Sequence, residues 1–469
     1  MRPYFVRVGQ RWQHLWIAGS GPPLLLLHGS PNRALSQKLL IESLSQSFLV
    51  IAPDTPGNGY SDPLPANASQ AKDFAAAALA LLDALRIQRF AVYGRHSGAV
   101  MAAELAIAAP QRVCGVACDG YPLWNSKEVD ELGDDFLNHF APQPSGAHLA
   151  DLWSFLIDQN LFFPWYQRQA NRSVRFDLND SERLHARATA LVDAGPSHAQ
   201  TMGIALKADG EARLQALADT ATPALLLTDV NDVLAAHQQR LPKLRNITPS
   251  RADGPEDRNR QLLAFFDMCK VPPQSEGLHL PEAERRYVQP RSANLAADEW
   301  LYVEVPRNAT SVWLHDLGES HRRGPGSNVR MDLPGHGYST VPWPGSRADA
   351  AALVAETLET LGRRPADATG RGLGRQIAET FAGTTPSNLP ATLMPDLTPS
   401  WEGAHLLRAW HYCRYRSQYP QWHQRGIDQR RAADMPNAEV LQQQTVDLLR
   451  AGAQTLNTVS AENTAGAKG

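Results

Sequence analysis

Tyr93-Gly94-Arg95-His96-Ser97-Gly98-Ala99 follows an apolar run, Phe90-Ala91-Val92, and leads into an alanine-rich helical pattern, Val100 to Ala109, closed by Pro110. A short apolar run entering a glycine turn reads as a buried strand, and proline after an apolar periodic stretch reads as the end of a helix. The segment is therefore a strand, a sharp Gly-x-x-x-Gly turn and a helix. Glycines at both ends of such a turn let the backbone bend tightly, and the middle side chain is pushed out beyond the sheet. That side chain is His96. Ser97 stands one place late: were it the outward residue, Arg95 would have to occupy the crowded position before it. Ser97 instead supplies the first backbone N–H of the helix, where an anion is favoured.

Working outward, Tyr4–Arg7 and Trp12–Ala18 read as a hairpin, and Gly19-Ser20-Gly21-Pro22-Pro23 as a turn. Leu24–Leu27 is aliphatic throughout, as a strand covered on both faces requires, and it runs into His28-Gly29-Ser30-Pro31-Asn32. Phe48–Ala52 is the next strand and ends at Pro53-Asp54-Thr55-Pro56-Gly57-Asn58-Gly59-Tyr60-Ser61. Ala71 to Leu85 has helical spacing. Strands alternating with helices predict a parallel sheet with right-handed crossovers. Val113–Asp119 and Ala224–Thr228 continue the series. Between them, from 121 to about 211, the pattern turns helical and rich in Trp and Phe.

His28-Gly29, the Asp-x-Pro-Gly-x-Gly-Tyr-Ser run at 54–61 and Gly94-Arg95-His96-Ser97-Gly98, in this order, resemble the α/β-hydrolase superfamily, with the helical cap of its cap-bearing members at 121–211. The resemblance implies an α/β fold and a nucleophile-elbow position filled by His96. It implies an oxyanion hole from the N–H groups of Ser30 and Ser97, a loop shaped by His28 and Gly29, and a pocket that Trp153 helps to line. The loop acid after the Ala224–Thr228 strand falls on Asp232. The histidine expected near 247–257 is missing, and none occurs between His237 and His279. A Ser-His-Asp esterase is thereby excluded. The chemistry left is His96 as general base, or less often as nucleophile, on a small organic substrate in hydrolase or lyase fashion, with Asp232 keeping the acid position but no histidine there to orient. No cofactor is implied, and nothing in the spacing of His28, His96 and Asp54 demands a metal. The competing reading is an inactive homologue serving ligand binding or assembly, in which His96 fills the pocket, Asp232 is a turn residue and the aromatics pack cap to core.

The pattern then repeats. After a linker at 270–277, Asp332-Leu333-Pro334-Gly335-His336-Gly337-Tyr338-Ser339 matches Asp54–Ser61 at an offset of 332 − 54 = 278. Gly370-Arg371-Gly372-Leu373-Gly374 matches Gly94–Gly98 at 370 − 94 = 276, with Gly372 outward and no side chain to do chemistry. Ala404-His405-Leu406 matches Ala147-His148-Leu149 at 405 − 148 = 257, and Trp410 matches Trp153 at the same offset. These matches predict a tandem duplication: a first domain at 1–270 and a truncated, degenerate second copy at 271–459 with a cap near 395–450. A disordered tail is expected at 460–469. A sheet cut short exposes an edge, so the second copy is expected to pack on the first or to support a homo-oligomer.

Composition bounds the rest. The chain has 469 residues, a formal net charge of −3, 43% hydrophobic and 20% charged residues, a globular profile that argues against a nucleic-acid partner. Four cysteines without zinc or disulfide spacing imply a reducing compartment. No signal-peptide pattern and no long apolar stretch occurs, so a cytoplasmic protein with no membrane partner is expected.

Overall fold

The computed structural model describes all residues except 69, 133–136, 138–139, 175–176, 275–276, 282, 292–294, 385–393 and 467–469. Part of the predicted linker, 275–276, lies outside the described residues. The chain forms two compact units: Met1–Ala141, Phe155–Asn179 and Asp193–Glu282 in the first, and Pro142–Ser154, Asp180–Val192 and Ala283–Gly469 in the second. This corrects the predicted boundary near 270. Two stretches of the expected first cap belong to the second unit.

In chain order, the hairpin is β1 (Arg2–Val8) and β2 (Arg11–Ala18), followed by β3 (Pro23–Leu27), α1 (Lys38–Leu44), β4 (Leu49–Pro53), α2 (Ala71–Ala84), β5 (Phe90–Arg95), α3 (Ser97–Ala108) and β6 (Val113–Asp119). The helical stretch then holds α4 (Ser126–Leu132), α5 (Ala147–Asp158), α6 (Ser181–Ala194), α7 (Ser197–Lys207) and α8 (Gly210–Asp219). β7 (Ala224–Asp229), β8 (Ile247–Ala252) and α9 (Gly254–Met268) close the first unit.

Its eight-stranded sheet has the order β1-β2-β4-β3-β5-β6-β7-β8. β1 with β2 and β2 with β4 are antiparallel, and the remaining pairs are parallel. All five residues of β3 are buried. Alternation sends Leu25 and Leu27 into a core with α2 and α3, while Leu24 and Leu26 face the core that holds α1 and α9. Each fully buried leucine contributes about 1.5–3 kcal/mol relative to exposure, so a polar residue anywhere in this run would undo the layering. Cys114 and Cys118 are buried strand residues on β6 with free thiols.

The turn between β5 and α3 is held by backbone contact. A Cβ on Gly94 would lie 2.0 Å from the Gly98 carbonyl oxygen, and one on Gly98 would lie 2.5 Å from that of Leu27. Only glycine allows these approaches. His96 between them has φ 49° and ψ −113°.

Asp54 ties the sheet ends to the following loop. Its carboxylate accepts from Ala34 N–H at 2.7 Å and Tyr60 N–H at 3.0 Å, and pairs with His14 Nδ1 at 2.8 Å. The aspartate is completely enclosed. Burial pushes its carboxyl up, but the His14 charge and hydrogen bond, His28 and the Tyr60 N–H together bring it down to about 2.

The second unit adds β9 (Arg285–Val288), β10 (Leu301–Glu304), β11 (Val312–Leu314), β12 (Val329–Met331), α10 (Arg347–Thr360), β13 (Ala368–Gly370), α11 (Leu373–Phe381), α12 (Ala404–Arg416) and α13 (Ala438–Gly466). Its five strands run β13-β11-β12-β10-β9. β9 with β10 and β10 with β12 are antiparallel, while β11 lies parallel to β12 and β13. Gly372, with φ 53° and ψ −122°, starts α11. Asp332 repeats the buried-aspartate arrangement: it accepts from His321 N–H at 2.6 Å and Tyr338 N–H at 2.7 Å, and pairs with His321 Nδ1 at 2.8 Å. α13 breaks at Gly452 (φ 70°, ψ 153°) and then continues to Gly466. A helix therefore stands at 460–466, where the sequence predicts a disordered tail.

Within this unit α5 and α12 meet reciprocally. The His148 ring stands 4.8 Å from that of Trp410, and the Trp153 ring 5.1 Å from that of His405. Trp410 Nε1 donates to the Pro144 carbonyl at 3.4 Å, and Trp153 Nε1 to that of Trp401 at 2.7 Å. Gly146 leaves room for Trp410, and Gly403 for Trp153.

The Asp54 pairing fixes a pH dependence. Its native carboxyl sits at about 2 against an ordinary 3.8. The resulting stabilisation, about 2 kcal/mol, is complete above pH 4 and disappears as pH falls through 2. Urea unfolding of wild type and Asp54→Asn should show a stability gap that is wide at pH 5 and narrower at pH 2.5. An unchanged gap would refute the assignment.

Candidate functional site

A cavity of about 100 Å³ opens above the β5–α3 turn, lined by Ser30, His96, Ser97, Pro122, Trp124, Phe163, Met202, Ala205, Leu206, Val233 and Leu234. Its walls come from the loop after β3, the turn, the loop after β6, α7 and the loop after β7. The lining is mostly apolar, so a charge at its floor interacts more strongly than in water.

His96 stands at the polar floor, with Asp232 behind it. His96 Nε2 lies 2.8 Å from Asp232 Oδ2. The Asp232 side chain is 2% exposed and that of His96 35%. Asp232 also accepts from Leu234 N–H at 2.9 Å, and Arg95 reaches it at 3.5 Å. Burial pushes the Asp232 carboxyl up, and the His96 charge and hydrogen bond, the Leu234 N–H and Arg95 together hold it well below the usual carboxylate range. An ionised carboxylate only accepts, so Nε2 carries the proton and Nδ1 carries the lone pair. Nδ1 has no hydrogen-bond partner among the described residues. Gly120 closes against the ring: a Cβ there would stand 2.5 Å from His96 Cδ2.

Behind the floor, His96 N–H donates to the Asp119 carbonyl at 2.9 Å. Asp119 accepts from the Tyr93 hydroxyl at 2.7 Å and pairs with Arg258 at 3.1 Å, and Arg258 also pairs with Asp229 at 3.0 Å. Arg95 and Arg258 thus balance three carboxylates beneath the site.

The predicted oxyanion pair is only partly available. Ser30 N–H donates to Ser97 Oγ at 2.7 Å, because the late serine folds back over the turn. Ser30 Oγ is engaged with the His198 carbonyl at 3.2 Å and the Thr201 hydroxyl at 2.8 Å. Ser97 N–H has no acceptor among the described residues. The Ser97 hydroxyl, accepting from Ser30, keeps its own proton to donate.

His28 and Gly29 do not line the cavity. His28 is fully buried, with Nδ1 against the Gly29 carbonyl at 3.0 Å and Nε2 accepting from Thr55 N–H at 2.9 Å. A shared metal on His28, His96 and Asp54 is opposed by these same bonds. Among the described residues no group of three or more His, Cys, Asp or Glu is placed to hold a metal ion. Trp153 is a correction: its indole packs on His405 in the second unit and is absent from the cavity wall.

The sequence reading missed Trp124 and Met202, and it weighed Phe163 as a packing aromatic, since wall positions in the cap share the composition of packing positions. His237 is placed away from the site by its sequence position. In the structure it meets Trp124 edge to face at 4.6 Å and accepts from Leu123 N–H at 2.9 Å. Burial brings its imidazole down to about 4, so it is neutral behind the wall.

A family model described as "alpha/beta hydrolase fold" matches residues 22–251. This is an α/β-hydrolase-fold protein over its first 250 or so residues. An uncharacterized hydrolase of Saccharomyces cerevisiae is 36% identical over 100 residues, covering 21% of this chain and 34% of the relative. The 2-hydroxymuconate semialdehyde hydrolase of a Pseudomonas strain is 38% identical over 100 residues, covering 20% and 35%. The chain thus spans about a third of the length of these curated relatives. An epoxide hydrolase from an endophytic Streptomyces shares 19% identity at a TM-score of 0.46, over 56% of this chain and 95% of that one. Among the described residues, no helix of the protein is long and apolar enough to cross a membrane.

The His96 tautomer is directly measurable. ¹⁵N NMR of the neutral imidazole should show Nε2 protonated, with the preference lost in Asp232→Ala. An Nδ1-protonated ring in the wild type would overturn the geometry drawn above.

Proposed function

We propose that the α/β-hydrolase unit is an enzyme acting on a small organic substrate, in hydrolase or lyase fashion, with His96 as general base. His96 occupies the nucleophile-elbow position in this reading. The observation that carries it is the 2.8 Å contact between His96 Nε2 and Asp232 at the floor of the cavity, which leaves Nδ1 unpartnered. In hydrolysis Nδ1 takes a proton from water, the resulting hydroxide adds to the electrophilic carbon, and buried Asp232 stabilises the imidazolium. Charge developing on the substrate oxygen meets Ser97 N–H at the start of α3 and the Ser97 hydroxyl. In a lyase step the same nitrogen removes a proton from the substrate itself. Direct attack by Nδ1 is the variant in which His96 is the nucleophile. The names of the relatives, a semialdehyde hydrolase among them, agree with the hydrolytic version.

One observation favours a ligand-binding protein without turnover: Ser30 N–H is already satisfied by Ser97 Oγ above a cavity of only about 100 Å³. The readings separate on an ester, lactone and epoxide panel. Turnover by the wild type should fall at least about 100-fold in His96→Ala, as loss of a general base requires. Trace activity unchanged in that variant selects the binding protein. Fluorophosphonates should leave Ser97 unlabelled, since its hydroxyl is bound to Ser30 and lacks a base.

We further infer that the second unit is a truncated copy of the first, without chemistry of its own. Support comes from strand order: β9-β10-β12-β11-β13 repeats β1-β2-β4-β3-β5 with the same senses. It comes also from the paired backbone angles of His96 and Gly372, and from the matching aspartates Asp54 and Asp332. The α5–α12 contacts are reciprocal, His148 on Trp410 and Trp153 on His405, so positions equivalent at the 257 offset exchange partners in the manner of a two-fold interface. Trp153→Ala and Trp410→Ala should each cost about 3–5 kcal/mol in chemical unfolding. Strongly unequal losses would count against the symmetric origin.

A further inference from the structure

The second unit contains a cavity of about 260 Å³, lined among others by Glu319, Arg323, Arg371, Tyr412, Arg416 and Asp447. Three guanidinium groups face one space. Arg371 and Arg416 both address the same Glu319 oxygen, Arg371 in close contact and Arg416 at 3.9 Å. Glu319 is 5% exposed and fixed, so it holds the two cations together rather than leaving with either. Arg323 has no acidic partner within ion-pair distance among the described residues.

The other acid in the wall, Asp447, already faces a cation outside the lining. Asp447 lies 3.8 Å from Arg322, a residue outside the lining. Burial pushes the Asp447 carboxyl up against the pull of Arg322 and Arg450. Burial also pushes the Cys413 thiol in the same wall up to about 12, so it stays protonated and adds no negative charge. Asp316, near Arg416, keeps its charge but lies outside the lining, with Oδ1 accepting from Leu317 N–H at 2.7 Å and Leu373 N–H at 3.0 Å.

Tyr412 is the second sign of a built site. It is 3% exposed, it lines the cavity, and its hydroxyl has no hydrogen-bond partner among the described residues. Its oxygen is not sealed off, so the hydroxyl opens into the cavity and can donate there. Its ring lies 5.4 Å from the Arg416 guanidinium, which keeps that group's planar fork in place. The combination is a neutral donor beside guanidinium forks that match carboxylate and phosphate oxygens.

We propose that this cavity binds a small dianion, a phosphate monoester or a dicarboxylate, between Arg371, Arg416, Arg323 and the Tyr412 hydroxyl. The site is independent of His96, and it gives the second unit a ligand-binding role. Three arginines against two carboxylates in the lining leave positive charge to draw the dianion in.

The test uses the full chain and calorimetric titration with inorganic phosphate, with succinate and with acetate, at constant ionic strength. Saturable binding of phosphate or succinate, at least about 10-fold tighter than acetate, is expected; whichever dianion binds names the headgroup. Arg371→Gln, at a half-exposed position that tolerates change, should weaken binding about 10- to 100-fold, as loss of a charge-assisted contact does. Tyr412→Phe should weaken it several-fold, and Arg307→Gln, on the exposed surface, should not change it. Dianions binding no better than acetate, or equal binding by wild type and Arg371→Gln, overturns the proposal. A circular-dichroism melt of each variant shows that lost binding is not lost folding.

Discussion

The backbone contact between Gly94 and Gly98 sets the geometry on which the site depends. The first residue's missing Cβ lets β5 end directly beneath the start of α3, and the second lets α3 sit on the end of β3. A residue caught between them must take a positive φ, and His96 does, at 49°. Such a conformation costs a non-glycine residue of order 1–3 kcal/mol and persists only where the surroundings impose it. Here the surroundings are an eight-stranded sheet with both faces covered. The strain is therefore held by the core, and its result is an imidazole presented at the carboxyl ends of the strands.

Presentation alone does not set the chemistry of an imidazole; its neighbours do. Asp232 would be costly as an isolated buried charge. It is not isolated: His96, Arg95 and the Leu234 N–H surround it, and Arg258 serves Asp119 and Asp229 one layer below. The network fixes which ring nitrogen faces the carboxylate. It also explains why an arginine follows Gly94 directly. At the second turn Arg371 holds the matching place and finds Glu319 instead. Both arginines make ion pairs, the role their recurrence suggests.

Much of the first unit was legible. Aliphatic runs such as Leu24–Leu27 can lie only in a two-sided sheet, and the turn signals at 54–61 and 94–98 mark where strands end. The register that puts His96 outward follows from the positions of the glycines alone. Less was legible where partners lie far apart in sequence. Nothing in the local pattern pairs His14 with Asp54, 40 residues on. Ser97 reads as a backbone donor, yet its hydroxyl takes the Ser30 N–H that the oxyanion reading requires. Trp153 has the spacing and size of a pocket wall. Its actual neighbour, His405, is 252 residues away, because 142–154 and 180–192 belong with the second unit. Amphipathic spacing states that a helix face is buried and is silent about what buries it.

The two turns also show what this backbone geometry attracts. At the second, the Asp316 carboxylate bridges Leu317 N–H and Leu373 N–H, and a Cβ on Gly372 would collide with it at 1.7 Å. Glycine there is thus a condition for the internal anion, beyond being the absence of a reactive group. A helix-start N–H, that of Leu373, together with the loop N–H of Leu317 favours negative charge, and the chain has supplied its own. At the first turn the equivalent space receives only a neutral hydroxyl, from Ser97, on one of the two donors. The other, Ser97 N–H, remains beside the cavity with the Ser97 proton next to it. The same backbone thus leaves a vacancy for charge at one end of the chain and closes it at the other, and the difference rests on a carboxylate where Gly29 has none.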